Sequence, residues 1–195
     1  YHLNKYDVLL KAGNVGMTVP PTIVSGDKNE VINFFEKHDQ NIITKSLFDI
    51  IYPQGVAEEG FSIKSYTQKV EDISALPEFF FPTFFQKNIQ KKYELRIFYL
   101  DGECYASAIF SQRNADSRQD FRNNDRDNPN RIVPYKLSTK LKSQIVDLMN
   151  AVDLNTGSID IMVGLDSLPY FLEINPVGQY GWINAACNFG ISDAI

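Results

Sequence analysis

The sequence predicts an α+β protein whose strands run in antiparallel pairs, with helices placed before and after them. Three observations carry this expectation. The dipeptide Asp101-Gly102 joins two runs of alternating residues, 94–100 and 103–111, and such a dipeptide between alternating runs marks a type I′ hairpin. Two further strand-like runs, 158–164 and 169–175, are joined by a second short turn. Apolar residues recur at helical spacing over 3–12 and over 139–152. At 195 residues the chain makes one compact domain or two small lobes. A chain of this size buries roughly 70% of its unfolded surface and folds without disulfide or metal staples.

In chain order, Leu3, Tyr6, Leu9 and Leu10 share one helical face and Gly13 offers a stop. Residues 19–24 contain Pro20 and Pro21, too much proline for a central strand, and read as an extended edge segment. Ser25-Gly26-Asp27 caps a helix over about residues 28–38. Residues 41–45 form a short apolar strand ending in Lys45, and 49–60, with Pro53, Gly55 and Gly60, read as a mobile loop. Residues 61–70 and 80–89 are β-branched and aromatic. Residues 112–131 are crowded with Asn, Asp and Arg and read as a long loop, a length that is uncommon unless functional. The helix over 139–152 presents Leu141, Ile145, Leu148, Met149 and Val152 on its apolar face. A small-residue helix follows Gly181.

Composition narrows the function classes. Hydrophobic residues make up 44% and charged residues 22%, values of an ordinary globular chain rather than a disordered one. Against 19 Lys and Arg stand 24 Asp and Glu, a net charge of −5, which is not the footprint of a nucleic-acid binder. The arginines of the long loop (Arg113, Arg118, Arg122, Arg126, Arg131) are interleaved with Asp116, Asp120, Asp125 and Asp127. That mixture is a solvated loop or a site for phosphate or peptide. Cys104 and Cys187 lie far apart, and with only His2 and His38 beside them no Cys/His zinc pattern exists. No apolar run reaches the roughly 20 residues that cross a membrane, and no secretory segment opens the sequence. A cytoplasmic protein with free thiols is expected. The sequence begins without Met and stops within what reads as a helix, so it is expected to be a piece of a longer protein.

The last two strands concentrate the chemistry. Alternation puts Ile159, Ile161 and Val163 on one face and Ser158, Asp160 and Met162 on the other. It puts Leu172 and Ile174 inward, with Phe171, Glu173 and Asn175 opposite. A turn centred on Asp166-Ser167 then sets Asp160 across from Glu173 and Ser158 across from Asn175. Like charges facing each other across strands repel, so the two carboxylates are either freely solvated or share a cation. Oxygen-only donors of this kind suit Mg²⁺. Asn175-Pro176 ends the strand at these residues. Lys45, at a strand end before a glycine-containing loop, is either solvated or a point charge for a phosphate. Neither the glycine-rich P-loop spacing nor G-x-G-x-x-G occurs. Residues 84–89 could line an adenine slot or simply connect two strands. Glu94 and Arg96 share a strand face, where they form an ion pair or serve a ligand.

In this order, Lys45, Gln86-Lys87-Asn88-Ile89, Glu94-Leu95-Arg96, Asp120-Phe121-Arg122-Asn123-Asn124, Ser158-Ile159-Asp160 and Phe171-Leu172-Glu173-Ile174-Asn175-Pro176 resemble the ATP-grasp superfamily. The closer resemblance is to the graspetide peptide maturases of the microviridin type, within them to the grasp-with-spasm group. Residues 128–137 and 175–181 carry that finer match. The resemblance implies an ATP-grasp fold, two α+β lobes of about 1–85 and 86–195 with antiparallel sheets clasping Mg·ATP. It implies that Lys45 contacts ATP phosphates, that Gln86, Lys87, Asn88 and Ile89 line the adenine site through backbone groups, and that Glu94 holds the ribose hydroxyls. Arg96 and Arg122 would neutralise phosphate or the activated carboxylate, with Asn124 nearby. Asp160, Glu173 and Asn175 would bind Mg²⁺, with Mn²⁺ as the alternative metal. The implied partner is a precursor peptide with a leader region, with a homodimer as one possible assembly and neither nucleic acid nor membrane involved. The implied reaction turns a side-chain carboxylate of the peptide into an acyl phosphate and closes a macrocyclic ester or amide. Relatives carry a further N-terminal domain, and many have an acidic residue where Lys87 stands. The alternatives are another ATP-grasp carboxylate–amine ligase, glutamate-adding or acting on a small molecule, and a nucleotide-binding fragment without catalysis.

Overall fold

The computed structural model describes residues 3–45, 67–111, 130–193 and 195. The loop expected over 49–60, the first part of the strand expected over 61–70 and nearly all of the loop expected over 112–131 lie outside them. The element order is α1 (Lys5–Asn14), β1 (Thr22–Asp27), α2 (Lys28–Lys37), β2 (Ile42–Lys45), β3 (Thr67–Lys69), β4 (Phe79–Lys87), β5 (Lys91–Leu100), β6 (Glu103–Phe110), β7 (Arg131–Pro134), α3 (Thr139–Ala151), β8 (Thr156–Gly164), β9 (Pro169–Asn175) and α4 (Gly181–Cys187). This is an α+β chain of two compact units, Pro20–Asn88 and Tyr1–Val19 with Ile89–Ile195. Among the described residues no helix is long and apolar enough to cross a membrane.

The unit Pro20–Asn88 is a four-stranded antiparallel sheet in the order β1-β4-β2-β3. The proline-rich approach does feed an edge strand, and pairing begins at Thr22, just past Pro21. Asp27 caps α2 by accepting the amide hydrogens of Asn29 and Glu30. That helix presses Val31, Phe34 and Phe35 onto Ile42 and Phe85. At Gly26 the β1–β4 register shifts, and a Cβ there would overlap the Phe80 carbonyl oxygen. Glycine is required by this close approach rather than by its dihedral angles.

The second unit is a five-stranded antiparallel sheet in the order β7-β6-β5-β8-β9. Leu100 pairs with Glu103, and the two turn residues between them have positive φ, 44° at Asp101 and 92° at Gly102, as a type I′ turn requires. The pairing of β5 with β8 begins at Lys91, three residues before the hairpin pattern does. Leu141, Ile145, Leu148 and Met149 of α3 are buried, as their spacing predicts. The sequence does not announce β7, of which only Arg131 falls in the expected loop, because its four positions are too few to show a period; it pairs with β6 from Ser107 to Phe110.

The division of the chain differs from one at 85/86 in where the first nineteen residues go. α1 lies against β9 and α3, Thr18 bridges Tyr170, and the Thr18 carbonyl accepts the Phe171 amide hydrogen. This segment therefore covers part of the edge of the second sheet. Gly13 does not stop α1; the helix runs on to Asn14 and closes with a left-handed Gly16 (φ 79°). Its amide donates to Gly13 and that of Met17 to Ala12, the paired bonds of a Schellman ending.

Two glycines separate propensity from packing. Gly13→Ala, exposed in the last turn of α1 with nothing near its added Cβ, is expected to stabilise the protein by about 0.5–1 kcal/mol. Gly26→Ala is expected to destabilise it by about 1–3 kcal/mol. Urea unfolding of both variants is the measurement. Burial pushes the Cys104 thiol up to about 11, so its alkylation rate is expected to keep climbing through pH 10, beyond the range where an ordinary thiol levels off.

Candidate functional site

Strand alternation gives the five-stranded sheet one apolar and one polar face. Leu95, Ile97, Ile159, Ile161, Val163 and Ile174 are buried on the first. On the second, register lines up Ser107, Arg96, Asp160 and Glu173 across β6, β5, β8 and β9. The neighbouring row holds Phe98, Ser158 and Asn175. Phe98 belongs to an apolar cluster with Ile183 and Ile191, packed by Tyr180 and Trp182, which closes that end of the polar face.

The expected opposition of Asp160 to Glu173 and of Ser158 to Asn175 is present, but the turn is not the one assumed. Gly164 donates its amide hydrogen to the Leu168 carbonyl, so three residues rather than two form the turn, with Ser167 in a left-handed conformation (φ 68°). A shift of register between Asp160 and Ile161 compensates. Its cost falls on the facing. Phe171, expected beside Glu173, instead pairs with Ile161 and is fully buried, while Leu172 is only partly so. This is a correction whose cause is the inserted residue, which inverts alternation from Leu172 to the turn.

Arg96 does not pair with Glu94. Its Nη1 donates to both carboxylate oxygens of Asp160, at 2.8 and 2.9 Å, with both side chains less than one-tenth exposed. Glu94 instead accepts from Lys91 Nζ at 2.7 Å and from the Ser111 hydroxyl at 3.0 Å. Burial pushes the Glu94 carboxyl above its ordinary range, against the opposing pull of Lys91. The row Arg96, Asp160 and Glu173 carries one positive and two negative formal charges. Asn175 accepts the Val177 amide hydrogen at 3.0 Å, which leaves its amide oxygen a second lone pair.

Whether this face fits a metal and a phosphate is answered by its donors. Asp160 and Glu173 offer carboxylate oxygens and Asn175 an amide oxygen, a set suited to Mg²⁺. Among the described residues no three His, Cys, Asp or Glu side chains converge, so a hard-cation site here is two carboxylates and an amide. Two buried donors nearby, Arg96 Nε and Ser158 Oγ, have no hydrogen-bond partner among the described residues. Orphaned buried donors are rare and call for an acceptor. A phosphate oxygen or an ordered water meets that requirement, so the residues fit.

In the other unit, Lys45 ends β2 on the sheet face opposite α2 and donates to Gln86 Oε1 at 3.1 Å. Gln86 is 1% exposed, so its side chain is an internal group and not an open slot wall. Lys87 ends β4, with Asn88 and Ile89 after it; the Lys87 amide donates to Pro21 and that of Asn88 to Asn41. His38 follows α2, with its ring 4.5 Å from that of Phe34, and burial lowers its pKa. Arg122 and Asn124 lie outside the described residues. Sequence reasoning missed the Arg96–Asp160 pair and the burial of the Ser158 hydroxyl. The signal for the first was a cation on a strand face that also carries carboxylates.

No family model and no curated protein matches the sequence. Solved structures do. The macrocyclase MdnC of Microcystis aeruginosa, solved with the precursor peptide MdnA, is 31% identical with a TM-score of 0.74, over 93% of this chain and 54% of that one. A RiPP-associated ATP-grasp ligase of Chryseobacterium gregarium, in complex with ADP and a leader and core peptide, is 28% identical with a TM-score of 0.77, over 93% and 54%. The macrocyclase MdnB of Microcystis aeruginosa is 25% identical with a TM-score of 0.73, over 98% and 57%. The chain thus has the ATP-grasp fold, as the sequence implied, and spans about half the length of these RiPP ligases.

The buried charge pair sets a stability test independent of any ligand. Arg96→Leu removes the buried guanidinium that donates to both Asp160 carboxylate oxygens and is expected to cost about 3–5 kcal/mol. Arg96→Leu with Asp160→Leu is expected to recover most of that loss. Denaturant unfolding of the single and double variants measures both.

Proposed function

We propose that this chain is the ATP-grasp part of an ATP-dependent peptide ligase that matures a ribosomal precursor peptide. The observation that carries the reading is the polar row of β5, β8 and β9, where two carboxylates and an amide stand beside a buried guanidinium and two donors without acceptors. Likeness over nearly the whole chain to ligases solved with precursor or leader peptide supports the substrate class. A precursor peptide with a leader region is accordingly the proposed partner.

In this reading Asp160, Glu173 and Asn175 would hold Mg²⁺, which offsets charge on the transferring phosphoryl group. Arg96 holds both Asp160 carboxylate oxygens in place, and its Nε is the donor for a phosphate or acyl-phosphate oxygen. Ser158 Oγ supplies a second donor on the same face. Lys45 is assigned to ATP phosphate, the backbone of Lys87, Asn88 and Ile89 to adenine, and Glu94 to the ribose hydroxyls. Arg122 and Asn124 keep the phosphate-side roles that the sequence resemblance implies.

The chemistry follows from the poor reactivity of a carboxylate as acyl donor. A carboxylate oxygen of the peptide bonds to the γ-phosphorus of ATP and the bond to ADP breaks. A peptide hydroxyl or amine then bonds to the acyl carbon, phosphate leaves, and the nucleophile loses its proton. The sum is one water lost per cross-link, with ADP and phosphate released. Fixed positive charge at Arg96 and Lys45 favours both departures.

Hydroxylamine present during turnover of the full-length protein is expected to trap a peptide hydroxamate, with ADP and phosphate in equal amounts. AMP and pyrophosphate would show adenylation instead and end the reading. Asp160→Asn and Glu173→Gln are each expected to weaken Mg·ATP binding tenfold or more by calorimetry, because each removes a charged ligand. Turnover of ATP that ignores every candidate peptide but responds to a free amino acid would favour a small-molecule ligase.

A further inference from the structure

We infer that Gln86 and Thr22 are positioning residues for the ammonium group of Lys45, rather than parts of an adenine slot. The inference rests on the reading above that Lys45 meets ATP phosphate. Register sets Thr22, Gln86 and Ile43 side by side across β1, β4 and β2, and Lys45 lies two residues beyond Ile43 on the same face. A single chain of hydrogen bonds runs along this row. Lys45 Nζ donates to Gln86 Oε1 at 3.1 Å, Gln86 Nε2 donates to Thr22 Oγ1 at 3.0 Å, and Thr22 Oγ1 donates to the Pro20 carbonyl at 2.8 Å.

The donor directions are fixed by chemistry. An ammonium only donates, so the Gln86 amide must turn its oxygen to Lys45 and its nitrogen to Thr22. The Pro20 carbonyl only accepts, so the threonine proton goes there. No alternative pattern satisfies all four groups, and the acceptor offered to Lys45 cannot flip away. The chain is anchored in a proline-bounded strand start and in an amide that is 1% exposed. A lysine stem loses about 2 kcal/mol of rotamer freedom when it is held, and holding it before the nucleotide arrives removes that cost from binding. A neutral amide does so without cancelling the positive charge, which a carboxylate at this position would do.

Calorimetry of ATP and adenosine with the full-length protein tests this, using Lys45→Ala, Gln86→Met, Thr22→Val and the Lys45→Ala/Gln86→Met pair. Gln86→Met is expected to lower ATP affinity about tenfold, the scale of one hydrogen bond to a charged group. Adenosine affinity is expected to stay unchanged, and Gln86→Met is expected to add nothing in the Lys45→Ala background. Thr22→Val, which keeps the β-branched shape, is expected to lower ATP affinity about threefold by freeing the amide, and it carries the test if Gln86→Met does not fold. Equal losses with and without Lys45, a parallel loss for adenosine, or unchanged ATP affinity in Gln86→Met would overturn the positioning role. Unchanged ATP affinity in Lys45→Ala would instead remove the phosphate role of Lys45, and the positioning role with it.

Discussion

The buried pair of Arg96 and Asp160 is the constraint on which the polar face of the five-stranded sheet depends. Both side chains lie within a sheet whose other face is filled by aliphatic residues. Removing two charges from water is costly, and their attraction offsets that cost only where the geometry is good. A slip of β5 against β8 by one residue would move Arg96 onto the aliphatic face, away from Asp160. The pair therefore specifies register, and register in turn sets Glu173, Ser158 and Asn175 beside it. What would be weak as a stabilising device is strong as a specifying one.

The same pair gives the face its chemical character. An acidic row without Arg96 would repel a triphosphate, and a basic row without Asp160 and Glu173 would not hold a hard cation. With both, one positive and two negative groups stand on neighbouring strands in a single register row. The two donors left without acceptors, Arg96 Nε and Ser158 Oγ, belong to that arrangement. A phosphate oxygen or an ordered water would satisfy them, and unsatisfied polar groups of this kind are found at sites built for a ligand.

The unit Pro20–Asn88 solves a simpler problem by similar means. One face of its sheet is occupied by α2. The other presents a lysine whose donor direction is set through glutamine and threonine. In both units a cation is held by groups on neighbouring strands, so sheet register sets the placement of charge.

Much of this was legible in the sequence, because much of it depends on local rules. The type I′ turn at Asp101-Gly102, the Asp27 cap, the proline-bounded edge strand and the apolar face of α3 each follow from a few adjacent residues. So does the sharing of one face by Asp160 and Ser158, which alternation alone dictates. The ordered set of short motifs added the ATP-grasp fold, which solved structures bear out. Other features required the folded chain. The three-residue turn and its compensating shift moved Phe171 to the opposite face from the one alternation gives it, since a single inserted residue inverts a period of two. β7 is too short to announce itself, and α1 joins the second unit through its contacts with β9 and α3. The choice of Asp160 over Glu94 as the partner of Arg96 lies across 64 residues of chain. Sequence determines which face of its own strand a residue occupies; which residue it meets on the next strand depends on register, and register is decided only when distant segments compete to bury the same surface.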